Sequence, residues 1–255
     1  MQVLGGMARK NSVTFKSKNY QVTAKLNKDG SLSFDKQKVS NSETKKSTIM
    51  NIIDRIPFIR GIITIFNGVF VNKRNSILFI LLIISSFLLS LIDGGESTLK
   101  IPFWLINALT IIMFIIAFMF IKFTEIGKYH SAEHMVGNNY EQGNEMSLIN
   151  VKKCSRIHRY CGTNLVILIL IIYFCMMIFL DSHFSFSLNL MALFISTAVA
   201  YEIHISENEK LNIVLYPLYF VTGMIQYLTV TSKPDDKHLL VAIAAFKEVE
   251  KLEGE

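Results

Sequence analysis

Charge is scarce in this chain. Of its 255 residues, 18% are Asp, Glu, Lys or Arg, below the quarter or so usual in a soluble globular domain. Four stretches carry none at all: Ser76–Ile92, Ile101–Ile121, Asn164–Leu180 and Phe186–Tyr201. Cysteine is sparse as well. Cys175 lies inside an apolar run, and Cys154 and Cys161 lie in a basic segment assigned to the reducing cytosol, which excludes a disulfide framework. The first fifty residues are polar and basic with no apolar stretch, so a cleavable signal peptide is not expected and the first span itself directs insertion. No internal repeat is present.

What the chain has in abundance is apolar residues, 51% of the total. A hydrocarbon core needs roughly 20 of them in a row, with a range of about 17 to 25. The expected fold is therefore an all-α polytopic membrane protein with about four transmembrane helices. Lysine and arginine set its orientation. Residues 1–75 hold fourteen, Asp93–Lys100 one, 122–163 six and Asp181–Ser185 none. The positive-inside rule then places both termini and the 122–163 segment in the cytoplasm. The net charge of +6 is accounted for by orientation and anionic lipid, so the bilayer is the expected partner and nucleic acid is not.

Smaller elements fill in the plan. Alternating apolar positions from Val13 to Phe34, around Asp29-Gly30, read as a small N-terminal β-hairpin within a cytoplasmic segment 1–48. Ile49–Val71 is apolar but carries Asp54, Arg55 and Arg60, so 49–75 is expected to be interfacial. Residues 76–230 form the membrane domain. Within it, Asn212–Val230 holds Pro217, Gly223 and Gln226 and suits a broken or re-entrant element as well as a fifth span. Residues 231–255 form an amphipathic cytoplasmic helix, with Leu239, Leu240, Ile243, Phe246 and Val249 at helical spacing and His238 exposed.

Chemistry concentrates in 122–163. Tyr129-His130-Ser131-Ala132-Glu133-His134 contains H-x-x-E-H, the inverted zincin pattern. On a helix, His130 and His134 stand one turn apart on one face and can share a metal ion. Glu133 is placed to act as general base on a metal-bound water. His158 and Cys161, three apart, are the candidate further ligands, with Glu141 and Glu202 as carboxylate alternatives. The cofactor expected is a divalent transition metal, with zinc the ion these donors suit. Against this stands the plain reading of histidines that bond headgroups or backbone and a cysteine packed at a helix start.

Taken together, these residues resemble a known family. Tyr129-His130, Ala132-Glu133-His134, Tyr140-Glu141, Gly143, Ser155-Arg156, His158 and Cys161-Gly162-Thr163 are similar to the core of the YqhQ-like family of bacterial integral membrane proteins. Gly5-Gly6, Ile56-Pro57-Phe58-Ile59-Arg60-Gly61, Tyr201-Glu202, Pro234-Asp235-Asp236 and Ala242–Ala245 extend the likeness. Two places depart from it: the segment after the paired glycines turns straight into a basic strand, and His158-Arg159-Tyr160-Cys161 lacks a proline. The resemblance implies a multi-pass protein of the bacterial membrane, of unassigned function and described as a metal-dependent enzyme. The leading expectation is a metal-dependent hydrolase. The rivals are a scaffold or regulator stapled by a structural metal, and a metal transporter or sensor, of which transport would want polar or ionisable groups inside the spans.

Overall fold

A computed structural model describes residues 3–39, 55–70, 112–113, 115–116, 118–179 and 186–254. Its contacts divide the chain into two units, Met1–Lys46 with Phe114–Thr163 and Pro217–Glu255, and Ser47–Met113 with Asn164–Tyr216.

The first unit opens with four strands, β1 (Val3–Arg9), β2 (Ser12–Ser17), β3 (Tyr20–Leu26) and β4 (Leu32–Lys38). They form an antiparallel sheet in sequence order. The turns show why. Asn11 takes φ 61 between β1 and β2, a conformation asparagine tolerates. Between β3 and β4, Gly30 takes φ 83 and Asp29 Oδ1 accepts from the Ser31 amide at 3.0 Å. The register Val13↔Ala24 and Phe15↔Val22 puts four apolar side chains on one face, all buried.

Two helices complete this core, α2 (Glu125–Glu141) and α8 (Asp236–Gly254). Phe246 of α8 meets Phe15 edge-on, with ring centroids 5.6 Å apart, and Leu239, Ala242 and Val249 are buried beside it. From α2 come Tyr129, Ala132, Met135 and Val136. The helix starts are tied together by His238, which is not exposed as expected but 0% accessible. Its Nδ1 accepts the Asp235 amide at 3.1 Å, so its Nε2–H donates to Glu125 at 2.8 Å. A short helix α3 (Leu148–Val151) follows α2 in the chain, and the stretch 212–230, open between a span and a broken element, is divided between α6 (Glu209–Val214), which belongs to the second unit, and α7 (Tyr216–Thr229). With 14 residues, α7 is shorter than the roughly 20 that a span needs.

The second unit contains α1 (Ile59–Phe70), α5 (Phe186–Ile205) and α6, and takes in all but the first two residues of α4 (Gly162–Phe179). Arg60 grips Glu202 with two nitrogens, at 2.8 and 2.5 Å, and the Phe58 amide donates to the same carboxylate at 2.9 Å. Gly61 faces Tyr201 so closely that a Cβ there would stand 2.5 Å from the tyrosine Cβ. Tyr173 of α4 donates to Asn189 of α5 at 2.7 Å.

The expected all-α, four-span polytopic fold is corrected by these observations. Among the described residues two helices, α4 and Leu188–Ile205 of α5, are long and apolar enough to cross a membrane. The run Ser76–Ile92 lies outside the described residues, as does Ile101–Ile121 except for part of its last ten. The N-terminal element is a four-stranded sheet rather than a hairpin. Counting apolar runs could not find it, because the strands are only six or seven residues long and mix apolar with polar side chains; β4 is exposed along its whole length.

Candidate metal centre

Helix α2 positions the centre. Thr124 precedes it in extended conformation, and Glu125 in its first turn suits the positive end of the helix dipole. One face of the helix packs in the core through Tyr129, Ala132 and Val136. The neighbouring face carries His130, His134, Gly137, Asn138 and Glu141. His130 and His134, one turn apart, bring their ring centroids to 4.1 Å.

The segment 155–161 is held against that face by its backbone. His134 Nδ1 contacts the Arg156 carbonyl at 2.7 Å, and Asn138 Nδ2 donates to the Ser155 and Ile157 carbonyls, both at 2.8 Å. The buried Gln226 of α7 accepts from the His158 amide at 3.0 Å. So fixed, the segment delivers Cys161 to the histidines. One donor atom each from His130, His134 and Cys161 lie within 4.8 Å of one another. His130 Nε2 is 3.4 Å from Cys161 Sγ. Nitrogen and sulfur ligands of a tetrahedral zinc, at about 2.1 and 2.3 Å, stand roughly 3.6 Å apart.

Protonation follows from partners. A carbonyl can only accept, so His134 Nδ1 carries the proton and Nε2 carries the lone pair. That Nε2 is buried and has no hydrogen-bond partner, in a residue only 2% exposed. His130 Nδ1 donates to Glu133 Oε2 at 3.3 Å. Both rings are thus turned with Nε2 inward by an acceptor on Nδ1, the arrangement that orients histidine ligands. Burial opposes a charge on either His130 or Cys161. The Cys161 thiol and the Glu133 carboxylate nevertheless raise His130 to about 10. Against burial, His130, with its Nε2 beside the sulfur, holds Cys161 well below the usual thiol range. The Thr163 amide, at the start of α4, also donates to the sulfur at 3.4 Å.

Not every expected residue joins this trio. His158 stacks 5.7 Å from His134, but its Nε2 meets Glu141 at 3.1 Å. Burial and the neighbouring His134 lower its pKa. Glu202 is engaged by Arg60 and Phe58 in the second unit. Neither Asn138 nor the role of Gln226 was legible in the sequence, since a residue that grips backbone leaves no motif. Gly6 of β1 was also missed as a site residue. A Cβ there would overlap the Glu133 carboxylate, 2.8 Å from its Cδ. A cavity of about 580 Å³ opens on the trio, walled by Gly5–Ala8, Phe15, Ile121, Ile126, Tyr140 and Tyr160.

Residues 74–252 match the family described as "Protein of unknown function (DUF1385)". The chain belongs to this family. The chain is also similar to "Uncharacterized protein YqhQ" of Bacillus subtilis (strain 168), 26% identical over 300 residues, covering 98% of this chain and 93% of that one. No solved structure matches. The family match spans both histidines, Glu133, His158 and Cys161, and leaves β1 to β4 outside it.

Proposed function

We propose that this chain is a membrane-associated metal-dependent hydrolase, its centre a transition metal such as zinc held by His130, His134 and Cys161. The observation that carries this reading is His134. A buried imidazole nitrogen with its lone pair bare costs free energy unless something accepts that pair, and here it faces another histidine and a thiolate-prone cysteine. Three protein ligands leave one tetrahedral position open, the pattern of catalytic rather than structural zinc. His158 stays outside because Glu141 engages it.

A zinc ion bound there supplies a Lewis acid and lowers the pKa of water. The chain's own residues do the rest. The Arg156 carbonyl and the Glu133 carboxylate fix the two imidazoles. Glu133, with Oε1 not committed to His130, would take the proton from the attacking water. Cys161 enters as thiolate. Helices α4 and α5 cross the membrane as a pair, and the basic 122–163 segment keeps the centre and both termini cytoplasmic.

A second reading rests on the same distances. Cys161 Sγ, His130 Nε2 and Glu133 Oε2 line up as a nucleophile, base and orienting carboxylate that need no metal. It leaves His134 Nε2 unexplained, which is why the metal reading is preferred. Metal analysis of detergent-purified protein separates them. About one transition metal per chain is expected, lost in His134→Ala. Glu133→Gln should keep the metal and lose activity in complementation. Metal-free wild-type protein prepared without chelators overturns the proposal in favour of the cysteine nucleophile. Full complementation by Glu133→Gln with metal retained would leave only a structural staple.

A further inference from the structure

The cavity in front of the three donors has an unusual wall. Four consecutive residues of β1, Gly5, Gly6, Met7 and Ala8, line it. A strand that offered only one face to a cavity would contribute alternate residues. Four in a row mean that the cavity meets the strand's edge. In the sheet order β1 is terminal, paired with β2 on one side alone.

The register identifies which backbone groups are free there. A two-residue turn, Lys10-Asn11, joins Arg9 to Ser12, which pair. In such a hairpin the closing pair exchanges hydrogen bonds and the next pair does not. Counting back, Met7↔Thr14 bond to each other, while Ala8↔Val13 and Gly6↔Phe15 turn their backbone N–H and C=O outward. Among the described residues, no hydrogen bond engages Gly6 or Ala8 on that side. The paired glycines bare the edge further, and Gly6 brings it onto Glu133, which orients His130.

A row of unpaired amides and carbonyls beside a cavity is a template for one kind of ligand, an extended polypeptide that adds as a strand. The rest of the cavity fits that occupant. Ile121, Ile126 and Tyr160 offer apolar surface for alternate side chains. Arg9 and Lys10, exposed at the end of β1, put positive charge along the path, favouring an acidic residue in the ligand.

We infer that the substrate is an extended peptide segment bearing an acidic residue, bound as an added strand on β1 with a peptide carbonyl at the metal centre. This rests on the metal-hydrolase reading above. In the reaction the water oxygen joins the carbonyl carbon, the C–N bond breaks, and the leaving amine takes the proton that Glu133 received.

The test uses full-length, zinc-loaded, detergent-purified protein and three probes: acetohydroxamate, a tripeptide hydroxamate containing leucine and glutamate, and octanohydroxamate. The tripeptide compound should bind at least tenfold tighter than acetohydroxamate. Methylating its backbone nitrogens should abolish that gain. Ala8→Pro, which removes one edge N–H where proline is tolerated, should abolish it too while leaving acetohydroxamate affinity unchanged. If that variant does not fold, the methylated peptide decides alone. Equal affinity of tripeptide and acetohydroxamate overturns the peptide substrate and leaves the metal centre standing. Tighter binding of octanohydroxamate than of the tripeptide overturns it in favour of an apolar amphiphile. Binding of none of the three overturns both readings.

Discussion

Helices α2 and α4 invert the usual relation between composition and burial. Helix α2 reads EIGKYHSAEHMVGNNYE, largely polar, yet eight of its seventeen residues are buried, among them His134, Ser131 and Asn139. Helix α4 reads GTNLVILILIIYFCMMIF, and only 22% of it is buried inside the protein, with Ile178 76% and Phe179 86% exposed. Polar groups buried at this density must be satisfied or functional, and an apolar helix left uncovered suits a lipid surround. The contrast teaches where to look for chemistry. The candidate centre lies on the helix whose polar residues face inward, not on the one with the stronger hydrophobic signal.

The contrast can be broken at its strongest point first. Phe246→Ala removes the ring that locks α8 onto Phe15 and should cost about 3–5 kcal/mol, read from urea or thermal unfolding in detergent. Ile178→Ala, by comparison, should change stability by no more than about 0.5 kcal/mol. Equal losses would mean that α4 is a core helix after all. Next in size is a charge in the middle of α4. Ile171→Arg should cost about 2.5–3.5 kcal/mol of insertion, seen as loss of the protein from the membrane fraction. A variant that stays fully expressed and becomes easier to extract would sink the spanning reading of α4.

Smaller effects sharpen the α2 side. Asn138→Ala frees two carbonyls and should destabilise by about 1–2 kcal/mol. It should also weaken metal retention by loosening the segment that presents Cys161, and unchanged metal affinity would show that His134 and Gln226 hold that segment without it. The smallest effect concerns pH. The Glu125 carboxyl is lowered to about 2 by its hydrogen bond from His238, helped by Lys237 and Lys128. A carboxyl lowered on folding contributes stability that is complete above its ordinary pKa near 4.5 and is lost as pH falls toward 2. Because Glu125 is more than a third exposed, screening limits the contribution to about 1 kcal/mol. Glu125→Gln should therefore flatten the acid limb of the unfolding profile between pH 5 and 2. An unchanged profile would assign that limb to other carboxylates.

Some of this was legible in the sequence because it is local. The i, i+4 spacing put His130 and His134 on one helical face before any fold was known, and Asp29-Gly30 marked a turn that Gly30 makes with φ 83. The apolar stripe of the last helix likewise anticipated the buried Leu239, Ile243, Phe246 and Val249, although Leu240 is half exposed and His238 lies inside. Long-range partnership was not legible. Nothing in composition or spacing says that β1 edges the cavity, that Gly6 sits on Glu133, or that Gln226 clamps the backbone at His158.

Apolar runs also misled where they were counted as spans. A run records how favourable it is to leave water, not whether lipid or protein receives it. The sequence by itself determined the candidate donors, the helix that carries two of them, and the apolar content of α4 and α5. Tertiary structure alone decided that Cys161 rather than His158 meets the two histidines. Three carbonyls gripped by His134 and Asn138 fix the path of the 155–161 segment, and Glu141 takes His158. Those contacts join residues seventeen or more positions apart, a distance over which one-dimensional periodicity carries no information.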